Sequence, residues 1–338
     1  MYPPMMMPPM MFPPPKGHWF SKGILVTLAT TIFGLSLIAN IYLLGWIGLS
    51  GGEVGPVVES TIKAGSKDKI AVIPVRGIID DQTAMLMDAF LRKAEEDKDV
   101  RAVVLEVDSP GGSVGASDQI HHRIEQFKSE HGMKVVVSMS DLAASGGYYI
   151  SADADRIFAQ PTTLTGSIGV ILFNLNFSEL AKKYGVTDAS QVAPAGGFKD
   201  AGSSLRPPSE RDRMYWQSLI DQAFVQFTGI VKSGRKSKLK GPESDIFNGK
   251  VFTAAEAQKN GLVDEIGYLE QACNWAATQV GIGNPTIVRY HRRPSFLEKM
   301  MAQSDVRPQA SGGVNVTLDA RMIDELTTPR LQYLWKGQ

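Results

Sequence analysis

The sequence predicts an α/β domain built on a largely parallel sheet, set behind an N-terminal membrane-spanning helix, and three observations carry that prediction. From Lys69 onward, short Val- and Ile-rich runs alternate with amphipathic stretches, the βαβ pattern of a parallel sheet. Those runs are nearly continuous in apolar residues, as strands covered on both faces require. Upstream, no charged residue occurs from Gly23 to Gly52.

Residues 1–22 read as a disordered tail. Met1 to Pro15 consists only of Met, Pro, Tyr and Phe, and proline at that density removes helix donors and favours a solvated, extended chain. Residues 23–50 read as the transmembrane helix, since Ile24 to Leu49 exceeds the roughly 20 apolar residues that cross a hydrocarbon core. The stretch is too long for a signal h-region of about 7–15 residues, and no Ala-x-Ala site follows it, so it is expected to stay as an anchor. Lys16 and Lys22 on one side are balanced by Lys63 and Lys67 on the other, so charge alone does not orient it.

Residues 51–68 are polar and aperiodic and read as a linker. Within 69–294, strands are expected at Ile70–Val75, Val100–Val107 and Lys134–Met139. Helices are expected at Ala84–Glu96, with Met87, Leu91 and Ala94 on one face, and at Ala116–Lys128. Ser209–Lys232 is predicted as a long amphipathic helix opened by Ser209 with Glu210 and Asp212, its stripe of Phe224, Phe227 and Val231 assigned to core or subunit contact. Residues 295–338 have little periodicity and read as an extension past the folded domain.

Composition narrows the function. Lys and Arg number 35 and Asp and Glu 35, so the chain carries no net charge, and the short basic run Arg235–Lys240 reads as a solvated loop rather than a nucleic-acid surface. With the single cysteine Cys273, no intramolecular disulfide is possible, and no Cys/His cluster has metal-ligand spacing.

The chemistry points to a serine. Ser145 sits in Ala143-Ala144-Ser145-Gly146-Gly147-Tyr148-Tyr149, directly after an apolar strand, where a serine entering a helix beside glycine exposes a backbone N–H next to its hydroxyl. A second N–H can come from Ser109-Pro110-Gly111-Gly112-Ser113, read as a glycine turn at the end of a strand. Each has a plain alternative: Ser145 as a helix N-cap, Gly112 as a turn residue. His18 precedes the apolar span, and His121, His122, His131 and His291 are read as solvated surface, which leaves lysine as the base. Lys199, in Ala195-Gly196-Gly197-Phe198-Lys199-Asp200-Ala201-Gly202, is flanked by a ring that can exclude water. An amine of ordinary pKa about 10.4 accepts a proton near neutrality only where desolvation disfavours its charge. The carboxylate of Asp200 is therefore expected to be bound away from it.

These residues resemble the signal peptide peptidase A family of membrane-bound Ser-Lys proteases, which share the crotonase/Clp-protease-like fold. The resemblance covers most of residues 70–290. It rests on Asp108-Ser109-Pro110-Gly111-Gly112, Ala144-Ser145-Gly146-Gly147-Tyr148, Thr165-Gly166-Ser167-Ile168-Gly169-Val170, Lys199-Asp200, and Gly249-Lys250-Val251-Phe252-Thr253 followed by Gly261-Leu262-Val263-Asp264. Five such blocks in family order are specific.

The resemblance implies Ser145 as nucleophile, Lys199 as general base, the N–H groups of Gly112 and Gly146 as oxyanion hole, and Ser167 as the residue that orients the lysine. It implies no cofactor, peptide substrates such as membrane-embedded signal-peptide remnants, a homo-oligomer whose dyad can be completed between subunits, and a catalytic domain on the extracytoplasmic side of the membrane. Two other readings stay open, a crotonase-fold acyl-CoA hydratase or isomerase, and an inactive membrane scaffold.

Overall fold

The computed structural model describes residues 19–49, 55–192, 196–294 and 330–336. The expected N-terminal tail up to residue 18, and residues 295–329 of the expected extension, lie outside the described residues. Two units are present, residues 1–53 and 54–338, and each is described by itself.

In the first, α1 (Trp19–Leu49) is a single helix, and its stretch Val26–Leu43 has a mean hydropathy of 1.7 with none of its residues buried. Among the described residues of its own unit, nothing covers the leucine, isoleucine and phenylalanine side chains of Val26–Leu43. That is the condition in which an apolar helix is stable against lipid.

The second unit begins with β1 (Val57–Lys63), β2 (Lys69–Ile79), α2 (Asp81–Glu96), β3 (Val100–Ser113), α3 (Val114–His131) and β4 (Lys134–Ala144). There follow α4 (Gly146–Tyr149), β5 (Arg156–Ala159), β6 (Leu164–Gly166), β7 (Ile171–Phe173), α5 (Ser178–Lys183) and α6 (Glu210–Arg235). The described chain closes with α7 (Glu243–Ile246), β8 (Val251–Thr253), α8 (Ala254–Lys259), β9 (Glu265–Ile266), α9 (Leu269–Gln279), β10 (Thr286–Arg292) and β11 (Arg330–Leu334). The strand order is β1-β10-β2-β3-β4-β5-β9, parallel from β10 through β9, with β1 antiparallel at one edge. This is the mainly parallel α/β sheet that the alternation of runs predicts.

Both faces of the sheet are covered, and strand alternation sorts the residues between them. Ala71, Ile73, Val103, Leu105, Val135 and Val137 face one core with Met87, Phe90 and Leu91 of α2 and Ile120, Ile124 and Phe127 of α3. Ile70, Val72, Ala102, Val104 and Val136 face the other, under Ala272, Cys273 and Ala276 of α9. Two helical layers explain why the strands are apolar at successive positions rather than every second one. Burial pushes the Cys273 thiol up to about 12, so it is an inert core residue.

Local chemistry sets the helix boundaries. Asp80 accepts the Thr83 N–H at 2.8 Å and starts α2, and Gly132, at φ 61°, ends α3 by donating to Lys128 O at 3.0 Å. The predicted start of α6 is a capping box between Ser209 and Asp212. At its far end Arg235, fully buried, donates to both oxygens of Asp264 at 2.9 and 3.0 Å and to Gly261 O at 2.9 Å. Burial by itself would raise the Asp264 carboxyl, but the bonds to Arg235, with those from Lys238 and the Ile157 N–H, together outweigh it and hold the group below its ordinary value. Replacing Arg235 by Ala is expected to cost about 3 kcal/mol in a urea unfolding series, since it strips a buried carboxylate of its bidentate partner.

Three expectations are corrected. Within 51–68, read as a linker, Val57–Lys63 is an edge strand paired to β10, its polar residues facing outward as an edge permits. The C-terminal residues 330–334, read as part of an extension past the domain, form a strand between β3 and β7 with Tyr333 fully buried. Ser109–Ser113, read as a glycine turn, is no turn. It continues β3 in extended form, paired on one side to Ile78 and Ile79 and on the other to β11, because Gly111 adopts φ +95° with no Cβ to obstruct it.

Candidate active site

Ser145 lies at the sharp join of β4 and α4, 1% exposed, with φ 54° and ψ −115°. A side chain rarely takes a positive φ, and here the surroundings hold it: its N–H donates to Gly166 O at 2.8 Å while the glycines after it fit against β3. A Cβ on Gly146 would stand 2.6 Å from Ser117 Oγ, and one on Gly147 would stand 2.9 Å from Ser109 O. Ser145 stands at the N-cap position of α4, as the plain alternative has it, but its side chain makes no cap hydrogen bond there.

β6 repeats the device. Ala144 pairs with Gly166, so the residues that follow, Ser145 and Ser167, emerge side by side from neighbouring strand ends. Ser167 also has a positive φ, 50°, and its N–H donates to Lys250 O at 2.8 Å. Both serines line one cavity of about 550 Å³ together with Ile220 and Phe224 of α6, and with Leu334 and Trp335. The predicted aromatic stripe of α6 therefore divides: Phe227 and Val231 are core, whereas Phe224 faces this cavity.

Gly111, Gly112 and Gly146 converge beside Ser145. A Cβ placed on Gly111 would lie 1.9 Å from Tyr333 O and 2.5 Å from the Gly146 nitrogen, so that oxygen and that N–H meet over one bare glycine face. Tyr333 is the register partner of Gly112. The Trp335 N–H donates to Pro110 O at 2.9 Å, and the alternation of an antiparallel ladder makes Gly112 and Tyr333 the next hydrogen-bonded pair.

Lys199 is not in this cavity. It is exposed, in a turn where its N–H donates to Gly196 O at 2.8 Å, and it lines a separate cavity with Asp188, Val192, Tyr215 and Trp216. Phe198, expected to shield it from water, stacks on Tyr215 at 4.8 Å beneath the Arg211 guanidinium and is itself 41% exposed. The Asp200 carboxylate is bound elsewhere, as expected: Arg206 Nε donates to it at 2.8 Å and holds its carboxyl below the usual range.

Arg206 also donates to Asp212 at 2.6 Å, so one guanidinium ties the Lys199 turn to the start of α6. Asp212 is held well below the ordinary carboxylate value by that bond and by the Ser209 backbone. A carboxyl depressed in the folded state stabilises at pH above its unfolded value, near 3.8, and that contribution is lost as pH falls through the folded value. Removing the pair with Asp212→Asn is expected to flatten the decline of Tm between about pH 4 and pH 2, read by thermal melts across that window.

Of the histidines, the structure leaves His122 and His291 exposed but corrects His121. It is 5% exposed on the inner face of α3, edge-on to the Tyr149 ring at 5.5 Å, and burial lowers its pKa. Helical spacing puts it on the same side as Ile120 and Ile124, a placement that charged neighbours in the sequence obscure.

A buried serine on a strained strand-to-helix turn, with the Gly146 N–H over a bare glycine face beside it, is an arrangement that suits a serine hydrolase on a parallel α/β sheet. Comparison with known proteins gives the family. Residues 127–283 match the model of peptidase family S49, and residues 63–164 match that of Clp protease. A protein of Enterococcus faecium described as a signal peptide peptidase SppA is 35% identical over 246 residues, 69% of this chain and 70% of its own. Protease 4 of Haemophilus influenzae is 37% identical over 233 residues, covering 66% of this chain and 36% of that protein. The chloroplastic serine protease SPPA of Arabidopsis thaliana is 28% identical over 278 residues, 78% of this chain and 40% of its own. The chain belongs to peptidase family S49 and is a serine protease.

Proposed function

We propose that the protein is a membrane-anchored endopeptidase that hydrolyses apolar peptides, signal-peptide remnants among them, with Ser145 as nucleophile and Lys199 as general base. The observation that carries this reading is the seating of Ser145: buried, at a positive φ on the β4–α4 join, lining a cavity next to Gly146, whose nitrogen lies against the bare face of Gly111. The neutral amine takes the proton of Ser145 Oγ, the oxygen adds to the peptide carbonyl, and Gly112 and Gly146 bind the oxyanion. The protonated amine then gives its proton to the departing nitrogen, and water, activated by the same amine, cleaves the ester to the free acid. Ser167, adjacent to Ser145, receives and orients the amine.

Within one chain Ser145 and Lys199 line different cavities, and Lys199 stands in solvent. We therefore take the active centre to be completed in a homo-oligomer, where a neighbouring copy brings its Lys199 over Ser145 and the contact removes water from the amine. The α1 helix, N-terminus on the cytoplasmic side, keeps the sites at the outer surface of the cell membrane where such peptides lie.

The test is complementation between two dead enzymes. Ser145→Ala and Lys199→Ala proteins, each inactive, are co-assembled from mixed, dissociated copies in detergent, and hydrolysis of a fluorogenic peptide is followed. Recovery of activity is expected. A mixture as inactive as its parts, although co-assembled by cross-linking, removes the shared site. Retention of wild-type turnover by Lys199→Ala alone removes the base.

A further inference from the structure

The block Ser109-Pro110-Gly111-Gly112 brings two glycines to the site, and Gly111, at φ +95°, has many other conformers open to it. A donor that stabilises a developing charge has to be aimed before the charge appears. Something in the fold must therefore choose the Gly111 conformer, and the flanking ladders are irregular here. On one side the pairing with β2 passes from Arg76 and Asp108 to Ile78 and Gly111. On the other, the pairing with β4 passes from Met139 and Val107 to Ala143 and Ser109. Slips of this kind re-aim a strand beside an active site, at the cost of groups left without their regular ladder partners.

The Ser109 hydroxyl takes up two of those groups. Fully buried, it donates to Gly77 O at 2.6 Å, at the slip in β2, and accepts the Gly111 N–H at 3.0 Å. Pro110, between Ser109 and Gly111, has its φ fixed by its ring and no N–H to offer. The tie from Ser109 to Gly111 thus sets the peptide unit that enters Gly111. Ser109 braces the other half of the site through its backbone. Its carbonyl oxygen packs so closely on Gly147 that a Cβ there would stand 2.9 Å away, and its register partner Ala143 lies two residues before Ser145.

We infer that Ser109 is the positioning residue of the oxyanion site: its hydroxyl, bridging Gly77 O and the Gly111 N–H, holds the Gly111–Gly112 peptide in the orientation that aims the Gly112 N–H at the reacting carbonyl. The hydroxyl is engaged by two backbone groups and acts through them, not on the substrate. The inference deepens the proposed function and rests on Ser145 as nucleophile and Gly112 as donor.

The test compares wild type with Ser109→Ala, as full-length protein in detergent. Active sites are counted by fluorophosphonate labelling. A peptide aldehyde is set against the alcohol of the same sequence, which fills the cleft but cannot add Ser145 Oγ. For Ser109→Ala, kcat per labelled site is expected to fall by about tenfold to a hundredfold, with KM within about twofold of wild type. The aldehyde should lose affinity by the same factor as kcat, while the alcohol keeps its own. A serine that only supported the fold would lower the number of labelled sites and leave kcat per site and the aldehyde-to-alcohol ratio unchanged, and that result overturns the inference. Ser109→Cys keeps the bulk with a poor hydrogen-bonding group and decides the matter if Ser109→Ala does not fold. A loss of about threefold to tenfold in the same ratio is expected of it, and a wild-type ratio overturns the inference. The wild-type protein tells the two failures apart. No labelling of Ser145, or an aldehyde that binds no better than the alcohol, removes the nucleophile and the donors together. Labelling and a tight aldehyde in wild type, with the same ratio in both variants, remove the role of Ser109 alone.

Discussion

Ser145→Ala is expected to lower peptide turnover by about 10⁴-fold or more while leaving the thermal midpoint and the circular dichroism spectrum in place, because the proposed nucleophile of a covalent mechanism cannot be replaced by its neighbours. The structure explains why folding should tolerate the change. Ser145 holds its place through its backbone, the N–H on Gly166 O at 2.8 Å and the carbonyl taking the Tyr149 N–H at 2.8 Å, and it caps nothing with its side chain. Alanine can adopt the same strained φ of 54° at a cost no different from serine's own. Ser167→Ala is the informative companion. That residue lies one strand away in the same cavity, and if it only orients the amine its loss lowers kcat without abolishing fluorophosphonate labelling of Ser145. Wild-type turnover by Ser145→Ala, measured on a preparation freed of the host's own peptidases, would exclude Ser145 as the nucleophile.

The second large effect belongs to Gly112→Ala. A Cβ there would stand 2.0 Å from Ile79 O and 2.7 Å from the Ile79 nitrogen, both backbone atoms of a paired strand, and no rotamer relieves a clash with a backbone. The end of the β2–β3 ladder has to part, and with it the extended run that positions Gly111 against Gly146. The expected cost is about 4 kcal/mol, in the range reserved for forced backbone rearrangement, together with loss of peptidase activity. Gly132→Ala supplies the control. Gly132 has φ 61°, but nothing lies within 4 Å of its Cβ position, so strain alone applies and about 1–2 kcal/mol is expected with activity retained. Urea denaturation of the two variants side by side measures the contrast. Equal stability of the pair would mean that β2 and β3 do not meet at Gly112 as described.

The contrast between those glycines shows what a sequence can and cannot announce. Gly111-Gly112 reads equally well as a turn, and the turn was the expectation; only the presence of β2 on one flank and β11 on the other keeps the chain extended through both residues. His121 belongs to the same class. Its neighbours His122, Arg123 and Glu125 suggest a wet surface, and its burial depends on Tyr149 arriving from another element to cover it. The edge strand Val57–Lys63 and the returning strand Arg330–Leu334 are short, half-polar segments whose partners lie far off in the chain, β10 in one case, β3 and β7 in the other. Leu331-Gln332-Tyr333-Leu334-Trp335 carried the available signal, an apolar cluster with two aromatics near the chain's end.

By itself the sequence determined whatever depends on local pattern: the apolar helix α1, the runs of β2, β3 and β4 with α2 and α3 between them, the capping box that starts α6, and the serine between alanines and glycines at the end of a strand. These follow from periodicity, propensity and steric permission, which act over a few residues. Tertiary structure alone decided the rest: that Ser145 and Ser167 emerge side by side, that Lys199 opens into a different cavity, and that a strand from the far end of the chain lays Tyr333 across three glycines. Such outcomes are fixed by ladders and packed rings between residues that lie from about twenty positions apart, as Ala144 and Gly166 do, to more than two hundred, as Gly112 and Tyr333 do, and the pattern of a short window along the chain does not contain both partners.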